Sequence, residues 1–193
     1  MIPDEMTRYK SKVCLLGDQT VGKTSLIRKF VLDQFSDDYI PTIGTKVTKR
    51  DVYLERGGEK LNISLMVWDI NGQWDMFKES VSEFKNFKPP TRFFSNSNGV
   101  FIVCDLTRRE TFAHINFWYD NIVKEIGYKL PTVLLGNKCD LKDKVAVTYE
   151  SIMALNRDYN FPFFYTSART GENVEQAFQT LADLILKDFN RSK

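Results

Sequence analysis

The stretch GDQTVGKT, residues 17–24, follows the apolar run VCLL (13–16) and opens a helix-like segment, TSLIRKFVL (24–32). Four of its residues occupy the fixed positions of the pattern G-x-x-x-x-G-K-[ST]: Gly17, Gly22, Lys23 and Thr24. Glycines let backbone N–H groups wrap around phosphate oxygens, and the start of the helix adds a partial positive charge. The lysine neutralises the β- and γ-phosphates, and the threonine hydroxyl is suited to Mg²⁺. The stretch therefore predicts a phosphate-binding loop between a strand and a helix.

This loop is the first part of the predicted nucleotide site. We expect it to contact the nucleotide through Gly17, Gln19, Thr20, Val21, Gly22, Lys23, Thr24 and Ser25. The pattern alone leaves the nucleotide and the reaction open, because ATPases, kinases and GTPases share it.

Along the rest of the chain, apolar runs of strand length alternate with segments of helical periodicity. The later runs are VFIVC (100–104), TVLL (132–135) and FPFFYT (161–166). Apolar residues recur at helical spacing over 112–126 and 174–189, and Gly127 is expected to end the first of these helices. The alternation is typical of βαβ units, so we predict an α/β fold around a mainly parallel sheet.

One pair of segments breaks this alternation. VTKRDVYLER (47–56) and EKLNISLMVWD (59–69) flank Gly57 and Gly58, a favourable pair for a tight hairpin turn. Two successive strands should therefore pair antiparallel here, and the sheet should be mixed.

Size and charge limit the possible functions. The 193 residues are 42% hydrophobic and 27% charged, which predicts a single domain, 1–193, with a core roughly over 8–189. A domain of this size buries roughly 70% of the surface of its unfolded chain. The formal net charge of +2 is too small to indicate nucleic-acid binding or a polybasic membrane patch.

The cysteines and the two ends of the sequence indicate a compartment. Cys14, Cys104 and Cys139 are widely spaced and odd in number, which favours reduced cysteines and a cytoplasmic location. The first residues lack the apolar core of a signal peptide, and no apolar run approaches the ~18 residues of a membrane span. The final residues, DFNRSK (188–193), hold no cysteine for prenylation. We expect no direct insertion into membranes, and attachment only through partners or through residues that this sequence does not include.

The segment DINGQW (69–74) narrows the reaction. Asp69 ends the strand LNISLMVWD (61–69), where a carboxylate in a P-loop fold reaches the Mg²⁺ shell, here through water. Gly72 offers a backbone N–H to a γ-phosphate, and the neutral amide of Gln73 can accept and donate hydrogen bonds to orient an attacking water. Without the loop at 17–24, a surface turn would be the better interpretation.

The segment GNKCD (136–140) points to the base. The carboxylate of Asp140 suits the N1–H and N2–H₂ donors of guanine, which adenine lacks at that edge. Asn137 can bridge to the base, and the stem of Lys138 can cover its face.

With these motifs in this order, the chain resembles the Ras superfamily of small GTPases, most closely the Rab branch, over roughly residues 8–189. The resemblance implies the small G-protein form of the P-loop NTPase fold: six strands, mostly parallel with one antiparallel edge strand, flanked by about five helices. It also implies GTP or GDP and Mg²⁺ as ligands, a monomer, and protein effectors, an exchange factor and a GTPase-activating protein as partners.

Two further segments acquire roles from the resemblance. FSDDYIPTIG (35–44) looks like the first switch, which implies that Thr42 binds Mg²⁺ and senses the γ-phosphate. Phe35 matches an aromatic that stacks near the guanine, and Tyr39 one that closes over the phosphates, although an ordinary surface tyrosine is the alternative. TSART (166–170) looks like the last guanine motif, in which Ser167, Ala168 and Arg169 approach the base and the Ala168 N–H meets its O6 atom.

Several residues depart from the family pattern. Gln19 replaces a glycine or another small residue and would either crowd an arginine from an activating protein or turn into solvent. Asn71 and Trp74 replace the usual alanine and glutamate, and that glutamate helps some exchange factors. Arg169 replaces a lysine, which we expect to be a mild change.

The second switch, roughly 70–98, is about ten residues longer than the family's. Phe77, Val81 and Phe84 predict an amphipathic helix within it, stopped by two prolines at 89–90. This insertion either enlarges a docking surface or packs on the domain itself. His114, the single histidine of the chain, is expected to be a solvated surface residue away from every motif.

Three functions remain as hypotheses. The first is a GTP-hydrolysing molecular switch that acts in trafficking or signalling. Its catalytic residues would be Lys23, Thr42 and Gln73. The second is a nucleotide-bound interaction module with negligible hydrolysis. The third, an ATP-using enzyme, is disfavoured because Asn137 and Asp140 select guanine.

Overall fold

The computed structural model describes residues 7–36, 45–70 and 94–191. Within these ranges the strands are β1 (Thr7–Leu16), β2 (Thr45–Arg56), β3 (Glu59–Ile70), β4 (Gly99–Asp105), β5 (Thr132–Asn137) and β6 (Phe163–Thr166). The helices are α1 (Lys23–Leu32), α2 (Arg109–Ala113), α3 (Ile115–Ile126), α4 (Tyr149–Tyr159) and α5 (Val174–Arg191). A short 3₁₀ helix covers Lys142–Lys144.

The six strands form one sheet in the order β2-β3-β1-β4-β5-β6. Five of them run parallel, and β2 pairs antiparallel with β3 at one edge. Gly57 and Gly58 join these two strands with φ angles of 59° and 84°, a conformation that glycine adopts without strain. The predicted mixed sheet, its antiparallel edge strand and its hairpin are confirmed.

Side chains that alternate along the central strands fill two core layers. Leu15, Phe101 and Val103 belong to the layer that contains residues of α1 and α5, where Phe30 stacks on Phe178 with ring centroids 3.7 Å apart. Their sequence neighbours on the strands belong to the layer that contains Ile115, Trp118 and Ile122 of α3. Strands that are buried on both faces explain why the sequence shows continuous apolar runs rather than alternation.

The helix predicted over 112–126 is divided. α2 ends at Ala113 and α3 starts at Ile115, with His114 between them at φ −83° and ψ −1°. Gly127 ends α3 as predicted, since its φ is 82° and its N–H donates to the Val123 carbonyl at 2.9 Å.

The last strand and one helix also differ from the sequence-based expectation. β6 begins at Phe163 rather than at 161, because Pro162 has no N–H for the ladder. α4, capped by the Thr148 hydroxyl, was not assigned from the sequence. The amphipathic helix predicted around Phe77, Val81 and Phe84 lies outside the described residues.

The three cysteines are free thiols, and Cys14 and Cys104 are buried in the core, as predicted. In the described parts of the chain, we find no helix with the length and apolar character that crossing a bilayer requires.

Candidate functional site

The loop 17–22 leaves the carboxyl end of β1 and leads into α1, so it lies at the edge of the sheet where parallel strands end. Gly17 has a φ of 132°, and a Cβ there would overlap the backbone carbonyl of Val103 on β4. Gly22 has a φ of 102°, and a Cβ there would overlap the side-chain amide of Asn137. Both glycines are therefore required by backbone conformation and by close neighbours.

Lys23, the first residue of α1, turns back over this loop. Its ammonium donates to the carbonyl of Gly17 at 2.6 Å and to the carbonyl of Asp18 at 2.7 Å. The side chain is buried, which is uncommon for lysine unless its charge is well hydrogen-bonded. The contacts fix the position of the ammonium at the loop.

Thr24 and Asp69 meet between α1 and β3. The Thr24 hydroxyl donates to Oδ2 of Asp69 at 2.7 Å, and Asp69 is buried. A hydroxyl and a carboxylate are the hard oxygen donors that Mg²⁺ prefers, and Mg²⁺ typically takes few protein ligands beside substrate phosphates. The residues present therefore fit the metal predicted for this position.

The base end of the site is built around Asn137, the last residue of β5. Its amide nitrogen donates to the carbonyl of Val21 at 2.8 Å, and its amide oxygen accepts from the N–H of Ala168 at 3.1 Å. Asn137 is buried, so both bonds are shielded from water. One side chain thus ties the phosphate-binding loop to the loop that follows β6.

Lys138 is held by a second contact at this end. Its ammonium lies 2.7 Å from Oδ2 of Asp105, the buried last residue of β4. Burial disfavours the charged carboxylate, but hydrogen bonds from Lys138 and from the hydroxyl and N–H of Thr107 outweigh it and hold the pKa of Asp105 below its usual range. The φ of Lys138 is 67°, so the loop turns sharply here.

Cys139, the cysteine of this motif, is a protonated thiol rather than a reactive thiolate. Burial, and then the nearby carboxylates of Glu172 and Asp140, raise the pKa of Cys139 to about 11. The N–H of Cys139 donates to the Thr166 carbonyl at 3.1 Å, which joins the two predicted guanine motifs through their backbones. A thiol with this pKa is almost fully protonated at neutral pH.

The remaining predicted residues in the described ranges differ in burial. Ser167 is buried, and its hydroxyl accepts from the N–H of Thr170 at 3.0 Å, while Arg169 is exposed. Phe35, just beyond α1, is 37% exposed. Gln19 is half-buried and Thr20 exposed, with a φ of 58°. Ser25 and Asp140 are half-buried.

Some predicted site residues lie outside the described residues: Tyr39, Thr42, Gly72 and Gln73. The departures Asn71 and Trp74 lie outside them as well. Their roles stay predictions.

His114 is where the sequence-based interpretation was wrong. The histidine was placed away from every motif, but its Nδ1 lies 2.7 Å from Oδ2 of Asp18, inside the phosphate-binding loop. Trp118 donates its indole N–H to Oδ1 of the same carboxylate at 2.9 Å. The two residues are four positions apart, a spacing that puts side chains on one side of a helical segment. The sequence shows this spacing, but not that Asp18 is the partner.

Arg108 was also missed. Its guanidinium donates to the carbonyl of Gln19 at 2.8 Å and, through Nε, to Oδ2 of Asp105 at 3.1 Å. The position of Asp105 at the carboxyl end of a parallel strand marks it as a site neighbour, since ligands in such folds bind outside the carboxyl ends of strands.

Comparisons with known proteins agree with this geometry. The sequence profile of the Ras family matches residues 12–187. The chain is 38% identical over 181 residues to the Ras-related protein Rab-13 of Canis lupus familiaris, covering 93% of this chain and 82% of that protein. It is 36% identical over 183 residues to the human Ras-related protein Rab-8B, covering 95% and 82%.

A plant protein extends the same likeness. The Ras-related protein RIC1 of Oryza sativa subsp. japonica is 34% identical over 174 residues, covering 90% of this chain and 79% of that protein. Matches of this extent, on a six-stranded mixed sheet with a phosphate-binding loop after β1, show the family. The chain belongs to the Ras family and is a Rab-like small GTPase.

Proposed function

We propose that this GTPase is a molecular switch that alternates between GTP- and GDP-bound forms to control the binding of effector proteins, in membrane trafficking or signalling. The observation that carries the proposal is the bonding of Asn137 to both Val21 and Ala168. Through it, the loop suited to phosphates and the loops suited to guanine form one continuous rim. In this proposal residues 1–193 act as a single GTP-binding domain.

The phosphate end of the site binds the negatively charged phosphate groups of the nucleotide. Lys23 and the N–H groups of the loop 17–25 hold the phosphates, while Thr24 and Thr42 bind Mg²⁺ directly and Asp69 binds it through water. Mg²⁺, when bound, neutralises charge on the β- and γ-phosphate oxygens. The support for this assignment is the contact between the hydroxyl of Thr24 and the carboxylate of Asp69.

Hydrolysis needs a positioned water. Gln73 orients the water by accepting and donating hydrogen bonds, and the N–H groups of Thr42 and Gly72 sense the γ-phosphate. Residues 35–45 contain no arginine, so we expect slow turnover by the chain alone. An arginine from an activating protein would then accelerate it by ~10³–10⁵.

The base end selects guanine. The Asp140 carboxylate accepts from N1–H and N2–H₂, the Lys138 stem and Phe35 cover the ring, and the Ala168 N–H meets O6. Asn137 orients this region, with Ser167 and Arg169 beside it and Tyr39 closing over the phosphates. The ion pair of Lys138 with Asp105 supports the assignment, because it fixes the stem whose methylenes would face the base.

We propose that other proteins regulate the nucleotide cycle of this switch. An exchange factor, an activating protein and effectors are expected, with the stretch 74–92 as a state-dependent docking surface and Trp74 altering the route of exchange. The chain would work as a cytoplasmic monomer recruited to membranes through partners. Pull-downs with GDP- and GTP-analogue-loaded protein, with and without residues 78–92, test the docking role: partners that persist after the deletion contradict it.

The decisive experiment compares nucleotides. The nucleotide that copurifies is identified, and single-turnover phosphate release is followed with GTP and with ATP for the parent and for Gln73→Leu. Asp140→Asn is the matched specificity variant, because an amide in place of the carboxylate can donate to the C2 carbonyl of xanthine. We expect the parent to release phosphate from GTP, Gln73→Leu to release far less, and Asp140→Asn to prefer the xanthine nucleotide.

The alternatives give different results. Retention of GTP with no phosphate release over hours would establish the interaction module, and a preference for ATP would contradict both guanine-based functions. Gln19→Gly tests whether Gln19 crowds the arginine of an activating protein. An unchanged rate of GTP hydrolysis, with and without that protein, excludes crowding.

A further inference from the structure

Asp18 occupies a variable position of the phosphate-binding loop, yet it is one of the most constrained residues there. It is buried, with 4% of its surface exposed, and each carboxylate oxygen accepts from a different side chain of one helical segment. His114 binds Oδ2 at 2.7 Å and Trp118 binds Oδ1 at 2.9 Å. We call these residues, Asp18, His114 and Trp118, the Asp18 clamp.

The backbone of the same residue holds the lysine of the site. The Asp18 carbonyl accepts from the Lys23 ammonium at 2.7 Å, and the preceding carbonyl, of Gly17, accepts from it at 2.6 Å. A residue whose side chain is fixed has little freedom to rotate its peptide group, since the Cα joins the two. The clamp therefore constrains the carbonyl that positions the Lys23 ammonium.

The next carbonyl along the loop is also fixed from the same direction. Arg108, just before α2, donates to the carbonyl of Gln19 at 2.8 Å. Three successive carbonyls, those of residues 17–19, thus bond to cationic side chains, and two of the residues are held from the segment 108–118. Hydrogen bonds with a charged partner are roughly twice as strong as neutral ones, so the restraint is substantial.

We propose that Asp18 is a positioning residue for Lys23, and that the segment from His114 to Trp118 sets how tightly the loop retains nucleotide phosphates through it. The inference rests on the proposed function, in which Lys23 binds the phosphates. It makes the segment 114–118, which leads into α3, a control element for nucleotide release, because a displacement of this segment moves both donors of the clamp together.

The test is the rate at which a fluorescent guanosine diphosphate analogue leaves the loaded protein. Asp18→Ala removes both acceptors and should accelerate release about tenfold, the loss expected for a buried charge-assisted hydrogen bond. His114→Leu should give a smaller acceleration, and adding it to Asp18→Ala should change nothing further. Additive effects of the two substitutions would overturn the clamp.

Rescue separates positioning from general packing. In His114→Asn the amide nitrogen stands near the place of the imidazole Nδ1, so release should return close to the parent rate. Asn116→Leu, at an exposed position of the same helix, is the matched control for an added leucine and should release at the parent rate. His114→Asn that releases as fast as His114→Leu contradicts the proposal.

A spectroscopic signature reports the clamp directly. The indole ¹H–¹⁵N resonance of Trp118, identified by its loss in Trp118→Phe, should move in Asp18→Ala because its acceptor is gone. A moved resonance with an unchanged release rate would show that the contact is only structural and overturn the inference.

The remaining outcomes are distinguishable. If Asp18→Ala does not fold, the His114 variants decide the question, because that side chain is 39% exposed and tolerates replacement. If the parent itself fails to retain guanosine diphosphate, the proposed function fails and this inference falls with it. If the parent retains it and all clamp variants release it at the parent rate, only the inference fails.

Discussion

The phosphate end and the base end of the site meet at one edge of the sheet, but different interactions hold them. At the phosphate end, Lys23, Asp18 and Arg108 make bonds in which one partner is charged. At the base end, the neutral amide of Asn137 makes the central bonds, and the ion pair of Lys138 with Asp105 supports it. The phosphate loop must present donors to a highly charged ligand, whereas the base loops must keep a fixed shape.

This difference predicts where substitutions act. Changes at the phosphate end should first affect the stability and geometry of a strained loop. At the base end, changes at Asn137 should first affect affinity for guanine, and changes at the ion pair of Lys138 with Asp105 should affect stability. Four predictions follow the comparison from the largest expected effect to the smallest.

Gly17→Ala should have the largest effect. The new methyl group combines an unfavourable φ of 132° with overlap of the Val103 carbonyl, a backbone atom that cannot move aside. We expect a loss of about 3–5 kcal/mol in the free energy of unfolding. Urea unfolding of nucleotide-loaded protein measures it.

Gly127→Ala is the matched control for that change. Gly127 also has a positive φ, 82°, but a Cβ there would meet no atom within 4 Å. Its cost should be about 1–2 kcal/mol, from the backbone conformation alone. Equal losses for the two variants would mean that the approach of the loop to β4 contributes nothing.

Asn137→Ala should weaken guanine nucleotide binding by about 2–4 kcal/mol, or roughly 10²-fold or more in affinity. The substitution leaves the Val21 carbonyl and the Ala168 N–H without their partner and disconnects the two ends of the site. Displacement of a fluorescent guanine nucleotide gives the affinity.

Asn173→Gly is the control at the base end. The half-buried Asn173 donates to the Tyr165 carbonyl at 2.8 Å, and glycine accepts its φ of 55°. Affinity should change little. If this variant and Asn137→Ala lose affinity equally, the bridge between the two ends has no special role.

Lys138→Met should cost about 1–3 kcal/mol in stability, since it removes the ammonium from the buried carboxylate of Asp105. Methionine keeps most of the apolar stem, so any loss reports the charge rather than the packing. Thermal unfolding compares it with Lys142→Met, a change at an exposed lysine of the adjacent 3₁₀ helix. A similar melting temperature for both variants would contradict a bracing role for the ion pair.

The sequence predicts the local structure at both ends of the site, but not the long-range bonds that hold them in place. The fixed residues of the phosphate loop are adjacent in sequence, and the strand, turn and helix around them follow from local preferences, as does the hairpin at Gly57 and Gly58. The bonds from His114 and Trp118 to Asp18 join residues about a hundred positions apart, so they depend on how α3 docks. The spacing of four residues shows that the two side chains lie on one side of the segment 114–118, but not what that side contacts.

At the base end, too, the sequence identifies a site residue but not its long-range contact. Asn137 is evident from its motif, yet its bond to Val21 requires β1 and β5 to be placed two strands apart with their ends level. That register is a property of the whole sheet. The contact of His114 with Asp18, at the break between α2 and α3, likewise depends on the packing of distant segments.

The smallest expected effect is the acid dependence that Asp105 contributes. Hydrogen bonds from Lys138 and Thr107 hold the pKa of Asp105 below its usual range despite burial, so the folded protein binds this proton less readily than the unfolded chain. The contribution to stability is then complete above the ordinary aspartate pKa of about 3.9 and is lost as the pH falls through the lower, folded value. Asp105→Asn should therefore be less stable than the parent at pH 7, and the difference should shrink below about pH 4. Urea unfolding from pH 7 to pH 3 measures it, with Asp143→Asn, at an exposed site, expected to track the parent. A difference between Asp105→Asn and the parent that stays constant over that range would show that Asp105 acts through shape alone.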